Sequence, residues 1–184
     1  MANTETLDDT DRRILKLLQK DSRMTVKELA ARVHLSPSPT FERQKRLERL
    51  GYIERYMAVV NPQKVGNGIL VLCNIRLKQH TQALIQEFMD AVQSIDEITE
   101  CYNTSGDFDF LIKVYTRDMK AYQQFMLNTL GTIPCVGSLN SIFVIDQTKS
   151  TRGVPIPENE DSKSSQFTVH IKVFHTFIRP KKTF

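Results

Sequence analysis

The stretch from Leu35 to Ile53, LSPSPTFERQKRLERLGYI, constrains this chain more than any other. Ser36 stands where an N-cap belongs, and Pro37 takes the first helical position, where a missing N–H costs nothing. Gly51 closes the segment as a C′ glycine does. Between them Phe41, Leu47 and Leu50 fall along one side at helical spacing. Lys45, Arg46 and Arg49, with Glu42, fall on the other, and Arg43 lies on the flank. This predicts a capped helix with an apolar inner stripe and a cationic outer face. Such a face is by itself an ordinary solvated surface, so its meaning depends on what surrounds it.

Two shorter helices precede it. Ile14, Leu15, Leu17 and Leu18 form the apolar stripe of the first, and Asp8, Asp9 and Asp11 crowd its start, where negative charge suits the helix dipole. The sequence DSRM then breaks it. Thr25 and Glu28 make a capping box for a second helix that buries Val26, Leu29, Ala30 and Val33. A short turn, His34-Leu35-Ser36, leads into the third. Helix, helix, tight turn and helix is the helix-turn-helix pattern, whose last helix enters the major groove of double-stranded DNA. Tyr52 to Val60 has strand propensity and no helical stripe, which predicts a β wing.

On this reading Arg43, Lys45, Arg46 and Arg49 are the candidates for phosphate contacts. Ser36, Ser38, Pro39 and Thr40, in the first turn, are best placed for base edges, with Arg43 or Arg46 the expected source of a bidentate base contact. These small, mostly neutral groups discriminate bases weakly. Selectivity is therefore expected to rest on DNA bending and on paired half-sites.

Charge distribution agrees with a polyanion partner for the front of the chain. Residues 1–60 carry 12 Lys/Arg against 9 Asp/Glu, residues 61–149 carry 7 against 9, and residues 150–184 carry 6 against 3. With 184 residues and 40% hydrophobic composition, the chain can bury a real core. No apolar run approaches the ~20 residues a membrane helix needs. The polar, acidic N-terminus does not read as a signal peptide, so a cytoplasmic location is expected. Cys73, Cys101 and Cys135 are dispersed without a CxxC pair and read as buried thiols in a reducing compartment, so neither metal nor cofactor is expected.

Residues 61–68, NPQKVGNG, have the composition of a linker. The predicted domains are thus 1–60, a winged helix-turn-helix, and 69–151, an α+β unit. In the latter, Ile69, Val71, Cys73, Ile75 and Leu77 alternate along a first strand. Thr81 caps a helix bearing Leu84, Ile85, Phe88, Met89 and Val92. Ile98 to Asn103 is a second strand; Phe108, Phe110, Ile112 and Val114 face one side of a third. A helix with Met119, Tyr122, Phe125, Met126 and Leu130 follows, and Val136 to Asp146 is the last strand. The order βαββαβ gives a ferredoxin-like, four-stranded antiparallel sheet with both helices on one side. The first and fourth strands are partly apolar on both faces, so the uncovered face is expected to pack on a second copy of the chain.

The loop NTSGDFDF carries the remaining candidate chemistry. Gly106 permits a tight turn whose backbone N–H groups can hold a carboxylate, and Asp107 and Asp109 offer counter-charge for an ammonium. Those two ends belong to a free α-amino acid. Taken alone, the residues favour an ordinary hairpin turn, in which Asp and Gly are common, over a ligand site.

LDDTDRRILKLLQKDSRMTVKELAARVHLS, RLERLGYI and SGDFDFLIKV together resemble the Lrp/AsnC family of transcription regulators over about residues 7–150. The resemblance implies a winged helix-turn-helix with a βαββαβ effector domain, dimers that assemble into octamers or discs, and a small amino-acid-type ligand. It implies a ligand site between subunits near Thr104 to Asp109, which makes Asn103, Thr104, Gly106, Asp107 and Asp109 the effector candidates. Two features depart from the family pattern. Gln44 replaces an apolar residue, predicting looser packing of the third helix. The chain also runs on past Ser150, through linker-like TRGVPIPENEDSKSS and a strand-like QFTVHIKVFHTFI, so 152–184 reads as a flexible extension. Two rival functions fit the same architecture. Siroheme decarboxylases resemble this family in both domains, but would need converging histidines or arginines, and His34, His80, His170 and His175 are dispersed. An effector-independent DNA-architectural protein is the other.

Overall fold

The computed structural model describes residues 6–150 and 153–158, which fall into two compact units. One contains the chain up to Met57 together with 153–158; the other is Ala58–Ser150.

The first unit is three helices, α1 (Asp9–Lys20), α2 (Val26–Val33) and α3 (Pro37–Arg49). Local chemistry sets their ends. Asp8 caps α1 reciprocally with Asp11, and Thr25 caps α2 reciprocally with Glu28. His34 terminates α2 in the left-handed region at φ 59°, which makes the turn into α3 tight without a glycine. Gly51, at φ 78°, ends α3 as expected. Ile14, Leu15, Leu18, Leu29, Val33 and Leu47 form the core between them.

Three expectations for this unit need correction. Ser36 precedes α3 in extended backbone, but its side chain makes no cap hydrogen bond; the Thr40 hydroxyl instead donates to the Ser36 carbonyl at 2.9 Å. The inner stripe of α3 is Thr40 and Leu47, seven residues apart and both fully buried, while Phe41 and Leu50 stand 49% and 40% exposed. Leu47 sets the phase, and Phe41 lies about 120° round the helix from it. Tyr52 to Val60, whose last three residues belong to the second unit, forms no strand. It runs without ladder partners, leaving Tyr52, Tyr56, Met57, Val59 and Val60 exposed and only Ile53 packed on the helical core. A single strand has nothing within this unit to pair with.

Part of the tail packs instead of extending freely. Ile156 lies against the helical core, and Arg12 donates to the Pro157 carbonyl at 2.9 Å. Gly153 sits so close to Gln19 that an added Cβ would meet its amide oxygen at 2.1 Å. Arg12 and Gln19 lie two turns apart on one face of α1, about 10 Å. Four extended residues span about 13 Å, so Gly153–Pro157 crosses that face antiparallel to α1. The strand-like stretch from Gln166 lies outside the described residues.

The second unit follows the predicted order: β1 (Ile69–Leu77), α4 (Gln82–Val92), β2 (Ile98–Asn103), β3 (Phe110–Thr116), α5 (Met119–Asn128) and β4 (Val136–Phe143). All ladders are antiparallel, in the order β2-β3-β1-β4. Val71, Cys73, Ile75, Ile112 and Val114 bury against Phe88 and Val92 of α4 and Tyr122 and Phe125 of α5, so both helices share one face. Thr81 and Asp118 cap those helices. Within this core Tyr122 donates to Ser141 at 2.5 Å and lies 3.1 Å from the Cys73 sulfur; burial pushes the phenol well above its usual range. Cys135 is buried as expected, but Cys101, on the edge strand, is exposed. The opposite face carries Leu70, Leu72, Leu111 and Tyr115, all half-buried, with Ile142 47% exposed.

Candidate DNA-binding and effector sites

Arg43 and Arg46 do not stand free on α3. Both guanidiniums converge on Asp11, whose carboxylate is fully buried: Arg43 Nη1 donates to Oδ1 at 2.9 Å, and Arg46 Nη2 to Oδ2. Arg43 also reaches Asp8 at 2.6 Å. That bond leads in raising the Arg43 guanidinium above its ordinary value. Burial works to raise the Asp8 carboxyl, but the Asp11 N–H and Arg43 outweigh it and hold it low. These two arginines, read from sequence as outward phosphate and base contacts, therefore have part of their charge already matched within the helical unit. With Asp8, Pro39 and Glu42 they line an open cleft.

The outward stripe of α3 is Ser38, Glu42, Lys45 and Arg49, with Phe41 beside it; all five are exposed. Ser36 is exposed and Pro39 half-buried. Thr40, buried, is turned away from any ligand. Lys45 pairs with Glu48 at 2.7 Å, which raises the ammonium and lowers the carboxyl. Gln44 packs by hydrogen bonding: its amide donates to the Tyr56 hydroxyl at 2.8 Å, and that hydroxyl donates to Glu48 at 3.0 Å. The looseness expected at Gln44 is thus replaced by a polar tie between α3 and the segment after it. Asp8, Asp11 and Tyr56 were invisible as site residues in the sequence, because their partners lie 8 to 35 positions away.

The loop after β2 is held from several sides. Asn103 ends β2, the Thr104 N–H donates to the Asp109 carbonyl at 2.9 Å, and the Thr104 hydroxyl donates to the Phe108 carbonyl at 2.9 Å. Gly106 turns at φ 126°; nothing lies within 4 Å of where its Cβ would be, so backbone conformation alone calls for glycine. Arg76 donates twice to the Asp107 carbonyl, at 2.8 and 2.5 Å, and stacks over Phe108. Asp109 turns inward: Oδ2 accepts the Leu77 N–H at 2.8 Å and Oδ1 lies 2.7 Å from His80 Nδ1. The Leu77 N–H first, and then His80, hold its carboxyl below the usual range against partial burial. Of the two carboxylates read as counter-charges for an ammonium, Asp107 is exposed on the loop, while Asp109 serves the loop's own geometry. Arg76 and His80 were not anticipated; the signal available was a cation interrupting an apolar strand.

Among the described residues no group of His, Cys, Asp or Glu is arranged to hold a metal, and no helix is long and apolar enough to cross a membrane. His34 belongs to the helical unit and His80 to the sheet unit; His170 and His175 lie outside the described residues.

Comparison with known proteins bears on both units. Residues 7–54 match the family model for winged helix-turn-helix DNA-binding, and residues 70–154 that for the Lrp/AsnC ligand binding domain. The leucine-responsive regulatory protein of Escherichia coli (strain K12) is 41% identical over 150 residues, 82% of this chain and 92% of that protein. This chain belongs to the Lrp/AsnC family. The same extent and identity relate it to the leucine-responsive regulatory protein of Klebsiella pneumoniae. Among solved structures, a transcriptional regulator of Neisseria meningitidis in complex with L-Met aligns with TM-score 0.79 at 34% identity, covering 82% of this chain and 97% of that one. An AsnC family transcriptional regulator from Agrobacterium tumefaciens aligns with TM-score 0.77 at 34% identity, covering 81% and 97%. As an Lrp/AsnC protein, the chain joins a winged helix-turn-helix to an α+β ligand-binding domain.

Proposed function

We propose that this protein regulates transcription by binding double-stranded DNA through α3, and that a small amino acid modulates its DNA binding or assembly. The observation that carries the reading is the joining, in one chain, of an outward-facing, partly cationic α3 to a ligand-binding sheet domain, in a protein 34% identical to a transcriptional regulator solved in complex with L-Met. Lys45 and Arg49 supply the first phosphate contacts, and Ser36 and Ser38 lie toward base edges. Arg43 and Arg46 contribute what charge Asp8 and Asp11 leave them. In the sheet domain the exposed backbone at Gly106, with Asn103 and Thr104 beside it, takes the carboxylate of the effector, and Asp107 its ammonium. Asp109, with Arg76, keeps that loop in shape. The uncovered sheet face, with Leu70, Leu72 and Ile142, receives a second copy, so that two α3 helices reach successive turns of one duplex. The test is a thermal-shift screen of the twenty amino acids on the full chain, followed by DNA titration with and without the hit. A hit that raises the melting temperature and changes DNA affinity supports the reading. DNA binding indifferent to every amino acid would favour the architectural alternative.

A further inference from the structure

The outer side of α3 carries one large apolar group. Phe41 is 49% exposed, a little over one turn into the helix, beside Ser38 and Lys45. A lone surface phenylalanine is ordinary, and its position is what separates this one from the rest. The N-terminal half of the last helix in a helix-turn-helix is the part that meets base edges. Of the polar groups there, Thr40 is buried and Arg43 and Arg46 are turned onto Asp11, which leaves the short hydroxyls of Ser36 and Ser38 facing outward. Lys45 Nζ stands 5.7 Å from the Phe41 ring centre, which holds the ring against the helix shoulder and leaves its outer edge open.

An aromatic ring makes no hydrogen bond to a base edge. The apolar group that the major groove offers it is the thymine C5 methyl. We propose that Phe41 is a specificity-determining residue, reading a thymine in the target through that methyl. The assignment rests on α3 facing DNA; if it does not, Arg49→Ala leaves affinity for every duplex unchanged, which separates that failure from this one.

The test removes the methyl without changing base pairing. Duplexes selected from a random pool by the wild-type full chain are resynthesised with each thymidine in turn replaced by deoxyuridine. They are titrated by fluorescence anisotropy at low salt, where phosphate contacts keep every variant bound. For the wild type, one replacement per recognised site weakens binding about fourfold, the worth of one buried methyl-sized group. Phe41→Ala binds the thymidine and deoxyuridine duplexes equally, while Phe41→Leu, which keeps an apolar surface, still prefers thymidine. Thermal melting of both variants stays at the wild-type value, since the ring is half exposed. If no replacement weakens the wild type, or if Phe41→Ala keeps the full preference for thymidine, the assignment is overturned.

Discussion

Replacing Asp11 by asparagine keeps the side chain's shape and removes the charge on which two arginines of α3 converge. Asp11 is fully buried, whereas the Arg43 and Arg46 side chains are 32% and 27% exposed. Breaking a buried ion pair by removing one partner typically costs about 3–5 kcal/mol. Here both guanidiniums can swing toward water, and asparagine still accepts one hydrogen bond, so the expected loss falls to about 2 kcal/mol. In a unit of this size that lowers the melting temperature by about 8–16 °C. DNA binding should move the other way. Two released guanidiniums steepen the log–log salt dependence by up to about 1.8, at about 0.9 per phosphate contact. Calorimetric melting and salt-dependent anisotropy on one nonspecific duplex measure both quantities, and Arg46→Ala in each background closes a double-mutant cycle. An unchanged salt slope, or strictly additive effects of Asp11→Asn and Arg46→Ala, would refute the claim that Asp11 moderates the charge of α3.

Other perturbations separate residues that look alike in sequence. Arg49→Ala should weaken DNA binding uniformly and reduce the salt slope by about 0.9, with Arg46→Ala giving a smaller reduction because Asp11 already holds that side chain. Asp109 is held below its usual value by the Leu77 N–H and His80. A carboxyl lowered in the folded state stabilises fully above its unfolded value near ~3.9 and loses that contribution as pH falls through the folded value. Asp109→Asn should therefore cost stability at neutral pH and flatten the fall in stability below about pH 4, read by acid titration of the circular-dichroism signal. Ile156→Asp, or truncation after Ser150, should destabilise the helical unit by about 1–2 kcal/mol through lost packing and the Arg12 hydrogen bond. Sedimentation should show dimer formation unaffected in the same samples; a monomeric truncation product would give the tail a role in assembly instead.

What could be read from sequence was what is settled locally. The Thr25–Glu28 box, the Thr81 cap and the Gly51 stop depend on residues three or four apart, and each stands where the pattern put it. The alternation along β1 likewise announced its buried side, because period two assigns faces without reference to partners. What failed depended on distant partners. The phase of α3 is set by where Leu47 meets the core, which leaves Phe41 outside and Thr40 inside, although hydrophobicity ranks them the other way. Arg43 and Arg46 looked like surface cations because Asp11 lies more than thirty residues earlier. Strand propensity in Tyr52–Val60 could not show that the segment has no ladder partner in its own unit. In the loop after β2 the turn was legible from Gly106, but the inward setting of Asp109, unlike exposed Asp107, needed Leu77 and His80 in place.

The central claim joins an amino-acid site in the sheet domain to DNA binding by α3. Its most direct test is the affinity of the full chain for a selected duplex, measured with each of the twenty amino acids, for the wild type and for Asp107→Ala. At least one amino acid should change the wild-type affinity about fivefold or more, the lower end of ordinary allosteric coupling, with the change absent in Asp107→Ala and the uneffected affinity preserved. Wild-type affinity unmoved by all twenty, or an undiminished response in Asp107→Ala, would contradict the account.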